Sequence, residues 1–245
     1  DATGSVSTGE GGYGLTGTGS FSQYDNDYGV AGQLFVTNDG LLNITYETGS
    51  TVAVPPVWTE GPNTVSARKD HASVFGTQNA VLISGGRNPS SDTSFTEDFN
   101  GISWTELNDL TLAAHRGAGA GTTNAGIQFG AYTSPRAKTE IWNGSAWTEV
   151  GDLNTARMQP GGSGTSTSSA IAFGGLNHAT YHDLTEDWNG ASWSEVADMN
   201  TARFAHGAAG SATSALAYQG SIPGGNTQAV EEWSQAQTVR SVDTD

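Results

Sequence analysis

The sequence predicts an all-β protein built as a wheel of small sheets, a β-propeller, and two observations predict it. The first is repetition. Glu97-Asp98-Phe99-Asn100-Gly101-Ile102-Ser103-Trp104 returns as Glu140-Ile141-Trp142-Asn143-Gly144-Ser145-Ala146-Trp147 and as Glu186-Asp187-Trp188-Asn189-Gly190-Ala191-Ser192-Trp193, with an eroded copy at Glu231-Glu232-Trp233-Ser234. With Trp58 counted as the end of an earlier copy, the second aromatics fall at 58, 104, 147 and 193. That period of about 45 residues marks a repeat architecture. The second observation is composition. With 34 Gly, many Ser and Thr and only 9 Lys plus Arg in 245 residues, long-chain helix formers are scarce, and short strands joined by tight turns are expected.

Taken in order, residues 1–29 are rich in Gly, Ser and Asp with isolated aromatics at Tyr13, Phe21, Tyr24 and Tyr28. Such a segment cannot make a core alone, so it reads as an arm or linker that orders against a partner. Gln33 to Tyr46 places two β-rich runs around Asn38-Asp39-Gly40, and Asp-Gly tolerates the positive φ of a tight hairpin. Pro55-Pro56 then bends the chain, and Val57-Trp58-Thr59-Glu60 reads as a further strand.

From there each unit has a Thr-Ala-Arg-like step, a strand of small residues, an apolar run ending in Gly, a variable loop, and the two aromatic strands. The apolar runs begin at Ala80, Ala125, Ala170 and Ala215, and are too short for helices and right for buried strands. Asn100-Gly101, Asn143-Gly144 and Asn189-Gly190 supply hairpin signals between the aromatic strands. Four short antiparallel strands per unit describe a propeller blade, which cannot bury both faces of its sheet and must stack on neighbours around an axis. Trp58, Trp104, Trp142, Trp147, Trp188, Trp193 and Trp233 are the expected wedges between blades.

The propeller is expected over 30–245, with units near 30–62, 65–108, 112–151, 155–197 and 201–242. The last is complete if Thr238 to Val242 forms its outer strand. The first lacks an inner strand, which residues 19–30 or the joined chain ends can supply. Five blades are expected, with four blades plus an N-terminal hairpin as the alternative.

The pattern resembles the kelch repeat, in which a short hydrophobic strand ends in Gly-Gly and is followed by an aromatic on the next strand and a Trp on the one after. Gly85-Gly86 with Phe99 and Trp104 fits, as does Gly174-Gly175 with Trp188 and Trp193. The match covers roughly residues 55–236, with departures at Ala131, at Gln219-Gly220 and at Thr238.

Several residues carry two readings each. Arg68, Arg157 and Arg203 stand ten residues after a Trp, with Ala114 in the remaining slot. They are either a ring of cations at one mouth, suited to carboxylates or acidic sugars, or structural ties of one blade to the next through hydrogen bonds to backbone carbonyls. Repetition favours the second, because an active site is asymmetric. His71 and His206 share a slot and read as hydrogen-bonded inner-strand residues, since two copies cannot make a metal site. His178 and His182, with Tyr181 and Asp183, lie in a variable loop that either binds a metal or sugar or is plain surface. Glu97, Glu140, Glu186 and Glu231 recur one per unit, so they read as structural or solvated rather than as a glycosidase pair.

No catalytic residue, cofactor or metal is assigned. There is no sialidase-type Asp-box and no nucleophile elbow, and a chain without cysteine cannot form the Cys-Tyr cofactor of the copper radical enzymes that share kelch-like blades. A net charge of −16 argues against nucleic acid and anionic membrane as partners. The remaining candidate surface is the variable loops, where Tyr132, His178, Tyr181 and His182 are placed to stack on sugar rings. The sequons Asn43-Ile44-Thr45 and Asn143-Gly144-Ser145 carry little weight, the second being explained by its turn.

The copies of Trp-Asn-Gly-x-x-Trp followed by Asn-Thr-Ala-Arg resemble the kelch-like repeats of virion proteins from tailed phages of aquatic bacteria. That resemblance implies a non-enzymatic virion component, a tail fibre, receptor-binding tip or capsid decoration, outside the cell and self-associating. It implies contacts with other virion proteins through the N-terminal arm and with host glycan through the loops. The second expectation is a secreted or cell-surface adhesin or filament subunit, and the third is a glycan-active enzyme.

Overall fold

The computed structural model describes residues 21–24, 31–36, 42–45 and 58–235. Among them there is no helix, and every sheet is antiparallel. The chain divides into two units, Asp1–Thr59 and Glu60–Asp245.

In the first unit β1 (Phe21–Tyr24), β2 (Ala31–Val36) and β3 (Leu42–Thr45) form a three-stranded meander in that order. Val36 pairs with Leu42, as the hairpin reading requires, while the Asn38-Asp39-Gly40 turn lies outside the described residues. β1 falls inside the segment read as an arm and pairs with β2 along its whole length.

The second unit holds the repeats. The first sheet is β4 (Ser73–Thr77), β5 (Ala80–Arg87), β6 (Asp92–Phe99) and β7 (Trp104–Glu106). The second is β8 (Ala118–Thr122), β9 (Ala125–Phe129), β10 (Thr139–Trp142) and β11 (Trp147–Glu149). The third opens with β12 (Gly161–Ser166) and β13 (Ser169–Phe173), carries the two-residue ribbon β14 (Leu176–Asn177) and β15 (Thr180–Tyr181) in its loop, and ends with β16 (Thr185–Trp188) and β17 (Trp193–Glu195). The fourth has β18 (Gly207–Gly210) and β19 (Ser214–Tyr218), a similar ribbon β20 (Ser221–Ile222) and β21 (Gly225–Asn226), and β22 (Val230–Ser234). Its expected outer strand at 238–242 lies outside the described residues. Trp58-Thr59-Glu60 is not a strand: a strand needs a neighbour for its backbone groups, these residues pair with none among the described ones, and Trp58 is fully exposed.

The hairpins at Asn-Gly form, but not as two-residue turns. Phe99 pairs with Trp104 across four loop residues, and the Asn100 side chain accepts the N–H groups of Ile102 and Ser103 at 2.9 and 3.0 Å. Asn143 and Asn189 repeat this, so the Asn acts through its side chain and only the Gly holds positive φ. The Asn143 amide of the sequon is thereby engaged in the turn.

Indoles fill the space between neighbouring sheets. Phe75, Leu82 and Leu110 of the first repeat pack with Trp142 and Trp147 of the second repeat, and Ile127, Phe129 and Leu153 pack with Trp188 and Trp193 of the third. The outer-strand Trp also reaches back by its N–H, Trp147 to Thr96 Oγ1 at 2.9 Å and Trp193 to Thr139 Oγ1 at 3.1 Å. A buried indole N–H needs such a partner, and the crossing bond fixes one sheet on the next. Between the third and fourth sheets Ile171 and Phe173 meet Ala215, Ala217 and Trp233, and a groove remains open beside Thr185 and Met199.

Strands β4, β8, β12 and β18 lie side by side in that order and together line a cavity of about 430 Å³. Small residues allow this approach: a Cβ on Gly162 would stand 3.0 Å from the Gly119 carbonyl oxygen. Backbone bonds stitch each unit to the next. Gly86, Ala131 and Gly175 donate to the carbonyls of Ala114, Arg157 and Arg203 at 2.7, 3.2 and 2.8 Å. A second belt runs Arg116 N–H to Asp70 O, Gln159 N–H to Arg116 O and Ala205 N–H to Gln159 O, at 3.0, 2.8 and 3.3 Å. Its members Asp70, Arg116, Gln159 and Ala205 all hold φ between 50° and 55°.

Candidate functional site

The side chains that repeat form the frame. Arg68, Arg157 and Arg203 have wholly buried side chains, each paired with the Glu of its own sheet: Glu97, Glu186 and Glu231. Arg157 donates to Glu186 at 2.7 Å, and the same carboxylate accepts the backbone N–H of Asn154 and of Thr155 at 2.7 and 3.3 Å. The arginines are therefore not a ring of cations open to ligand. Nor do they tie one sheet to the next: each clamps the lead-in segment to its own sheet, because its carboxylate partner and the carbonyls it meets, Gly85 for Arg68 and Gln219 for Arg203, belong to the same repeat.

The second sheet departs from this. Ala114 takes the arginine slot, and Glu140, 1% exposed, keeps only neutral donors such as the Thr111 N–H at 2.9 Å. Burial pushes its carboxyl above the ordinary range, against the pull of those hydrogen bonds. Gln128, cross-strand from Glu140, donates to the Gly130 carbonyl at 2.7 Å, the acceptor that Arg serves at Gly85 and Gln219.

The side chains that do not repeat converge elsewhere. Tyr132, 42% exposed, lies on the loop after β9 with its ring 4.9 Å from that of His115. The guanidinium carbons of Arg116 and Arg136 stand 5.8 and 5.5 Å from the Tyr132 ring centre. Arg136 donates to the Tyr132 carbonyl at 3.0 Å and to Asn177 Oδ1 at 2.9 Å, and lies 3.0 Å from His178 Nε2, joining the loops of the second and third sheets. Since a guanidinium only donates, the His178 ring nitrogen is the acceptor there.

Beneath Tyr132, Asp92 Oδ1 approaches His115 Nδ1 at 3.0 Å, and Thr133 Oγ1 donates to Asp92 Oδ2 at 2.9 Å. Thr133 lies 3.4 Å from the same Nδ1. A hydroxyl-imidazole-carboxylate relay needs the hydroxyl on the other ring nitrogen, so this cluster orients His115 rather than activating Thr133. Burial lowers the His115 pKa, with Asp92 opposing.

The structure sets Tyr132 and His178 against the same arginine, Arg136, and gives Tyr181 and His182 other surroundings. Tyr181 packs edge-on against Phe204 of the next unit at 5.2 Å. His182 Nε2 is buried without a partner among the described residues, and burial followed by the charge of Arg157 lowers its pKa. Among the described residues no three His, Cys, Asp or Glu side chains gather as a metal site. His206 differs from the hydrogen-bonded histidine expected at its slot. Both ring nitrogens are buried without partners among the described residues, the ring rests 5.5 Å from Phe173, and desolvation lowers its pKa to about 4.

The arginines at 116 and 136, absent from the candidates drawn from the sequence, are the residues that organise this surface. Their signal was the lack of an equivalent in the other repeats. Compared with known proteins, the chain matches no protein-family model and no curated protein at a significant level.

Proposed function

We propose that the four sheets are blades of a kelch-like β-propeller and that the protein is a non-enzymatic component of a tailed-phage virion, a tail fibre, receptor-binding tip or capsid decoration. The blade reading is supported by first strands set side by side around a common cavity and by indoles wedged between sheets. The Asp70 N–H and the Ala205 carbonyl, the two ends of the belt, pair with nothing among the described residues. Those open ends support five blades over four.

The observation that carries the functional reading is the division between side chains. The recurring arginines are buried and paired with carboxylates inside their own sheets, while side chains that do not recur meet at one exposed place around Tyr132. A rigid frame with unlike loops is how a binding surface is built. The recurrent carboxylates of Glu97, Glu186 and Glu231 are held by arginine, which supports a role other than acid-base chemistry.

Mass spectrometry of purified particles, with electron microscopy to place the subunit, tests the assignment. The protein is expected in the particle at the tail or capsid surface. Recovery only from a bacterial secreted or cell-surface fraction would replace the virion reading with the adhesin one.

A further inference from the structure

We infer that the surface around Tyr132 binds an acidic sugar, a carboxylated or sulfated unit of a polysaccharide; this rests on the reading of the protein as a binding module and names what it binds. The chain has 9 Lys plus Arg against 25 Asp plus Glu. Arg68, Arg157 and Arg203 are sealed in buried pairs, Lys138 is held by Glu149 and Asp152, and Arg240 lies outside the described residues. Every other cation, Lys69, Arg87, Arg116 and Arg136, belongs to one continuous patch.

The contacts run across it without a break. Lys69 and Arg87 exchange backbone hydrogen bonds at 3.0 and 2.7 Å, Arg87 lies 3.8 Å from Asp92, Asp92 holds His115, and His115 supports Tyr132 between Arg116 and Arg136. Among the described residues two carboxylates pair with the patch, Asp92 and Asp70, the latter 3.3 Å from Arg116. Four cations against two carboxylates leave a positive excess on a strongly acidic molecule. The side chains of Arg87 and Arg116 remain 49% and 38% exposed, which leaves guanidinium surface open to a carboxylate or sulfate. Tyr132 adds an amphipathic ring beside them, suited to the C–H face of a pyranose.

Remote repulsion from the acidic remainder of the protein is screened beyond ~8 Å at 0.15 M salt, whereas contacts within the patch survive. Neutral glycans would leave the guanidinium excess unused. Nucleic acid offers anions too, but its dense charge meets the whole acidic surface.

Calorimetric titration of the full chain at 0.15 M salt with oligogalacturonate, a sulfated oligosaccharide, neutral dextran and single-stranded oligonucleotide tests this. Saturable binding to one or both acidic glycans is expected. Arg116→Gln should weaken it about tenfold, the loss of roughly one charge-assisted contact, and Arg87→Gln, at an exposed position that leaves the fold alone, several-fold. Lys138→Gln, at a cation outside the patch, should leave it unchanged. Binding to neither acidic glycan, preference for dextran or oligonucleotide, or equal loss with Lys138→Gln would overturn the inference. The same mixtures are assayed for reducing ends: their release would overturn the non-enzymatic reading while leaving the acidic-sugar site standing.

Discussion

Removing the Arg157 side chain tests the frame most directly. In Arg157→Met a buried charge goes and Glu186, wholly buried, stays. The carboxylate keeps three donors, the N–H groups of Asn154 and Thr155 and the Asn154 side-chain amide at 2.9 Å, but no cation. Breaking a buried pair from one side costs about 3–5 kcal/mol, and the retained donors place this case near ~3 kcal/mol. Glu140 shows where Glu186 would go, since with only neutral donors its carboxyl is held above the ordinary range. A folded pKa above the unfolded one means the ionised form opposes folding, so the cost is full above the raised pKa and shrinks as pH falls through it. Arg157→Met/Glu186→Gln should recover about 2 kcal/mol of the loss, the coupling of the pair. Urea unfolding of the three proteins at pH 7 and pH 4 measures this. A cost for Arg157→Met below about 1 kcal/mol at pH 7, or equal at both pH values, would refute the claim that the clamp neutralises a buried charge.

Three further outcomes follow from the same geometry. Ala114→Arg/Gln128→Ala should convert the second sheet to the clamp of the other three, raising stability by about 1–2 kcal/mol at pH 7 and by less at pH 4, read by urea unfolding. His206, neutral with a folded pKa of about 4, makes stability fall as pH drops from about 6.5 towards 4, by up to ~3 kcal/mol. His206→Phe, which keeps the stack on Phe173, should flatten that part of the pH profile. Gly85→Ala should cost ~3 kcal/mol or more in thermal or urea unfolding, because φ is 58° and the added Cβ would lie 2.3 Å from the Ala114 carbonyl oxygen. Gly224→Ala, with positive φ but nothing within 4 Å of its Cβ, should cost only ~1 kcal/mol.

The parts of this protein legible in its sequence are those set by local chemistry repeated along the chain. Apolar runs of strand length ending in Gly became β5, β9, β13 and β19, and the aromatic strands after them paired as Phe99 with Trp104, Trp142 with Trp147 and Trp188 with Trp193. Trp58 shows the limit: the same Trp-Thr-Glu pattern that makes β7 and β11 makes no strand at 58–60, where no neighbouring strand pairs with it among the described residues. Of the loop candidates, Tyr132 and His178 both lie against Arg136, which also reaches 41 residues along the chain to Asn177, while Phe204 claims Tyr181 and the His182 ring nitrogen is buried.

By itself, then, the sequence determined that the protein is a set of antiparallel sheets, since strand length, turn chemistry and side-chain alternation act over a few residues and repeat wherever the residues repeat. Tertiary structure alone decided which cations are spent inside the sheets and which remain at the surface. Burial and charge pairing depend on neighbours far apart in the chain: the ten-residue spacing after a Trp marks Arg68 and Arg157 as part of the frame, but neither their pairing with Glu97 and Glu186 nor the meeting of Arg116 and Arg136 at Tyr132 is written in that spacing.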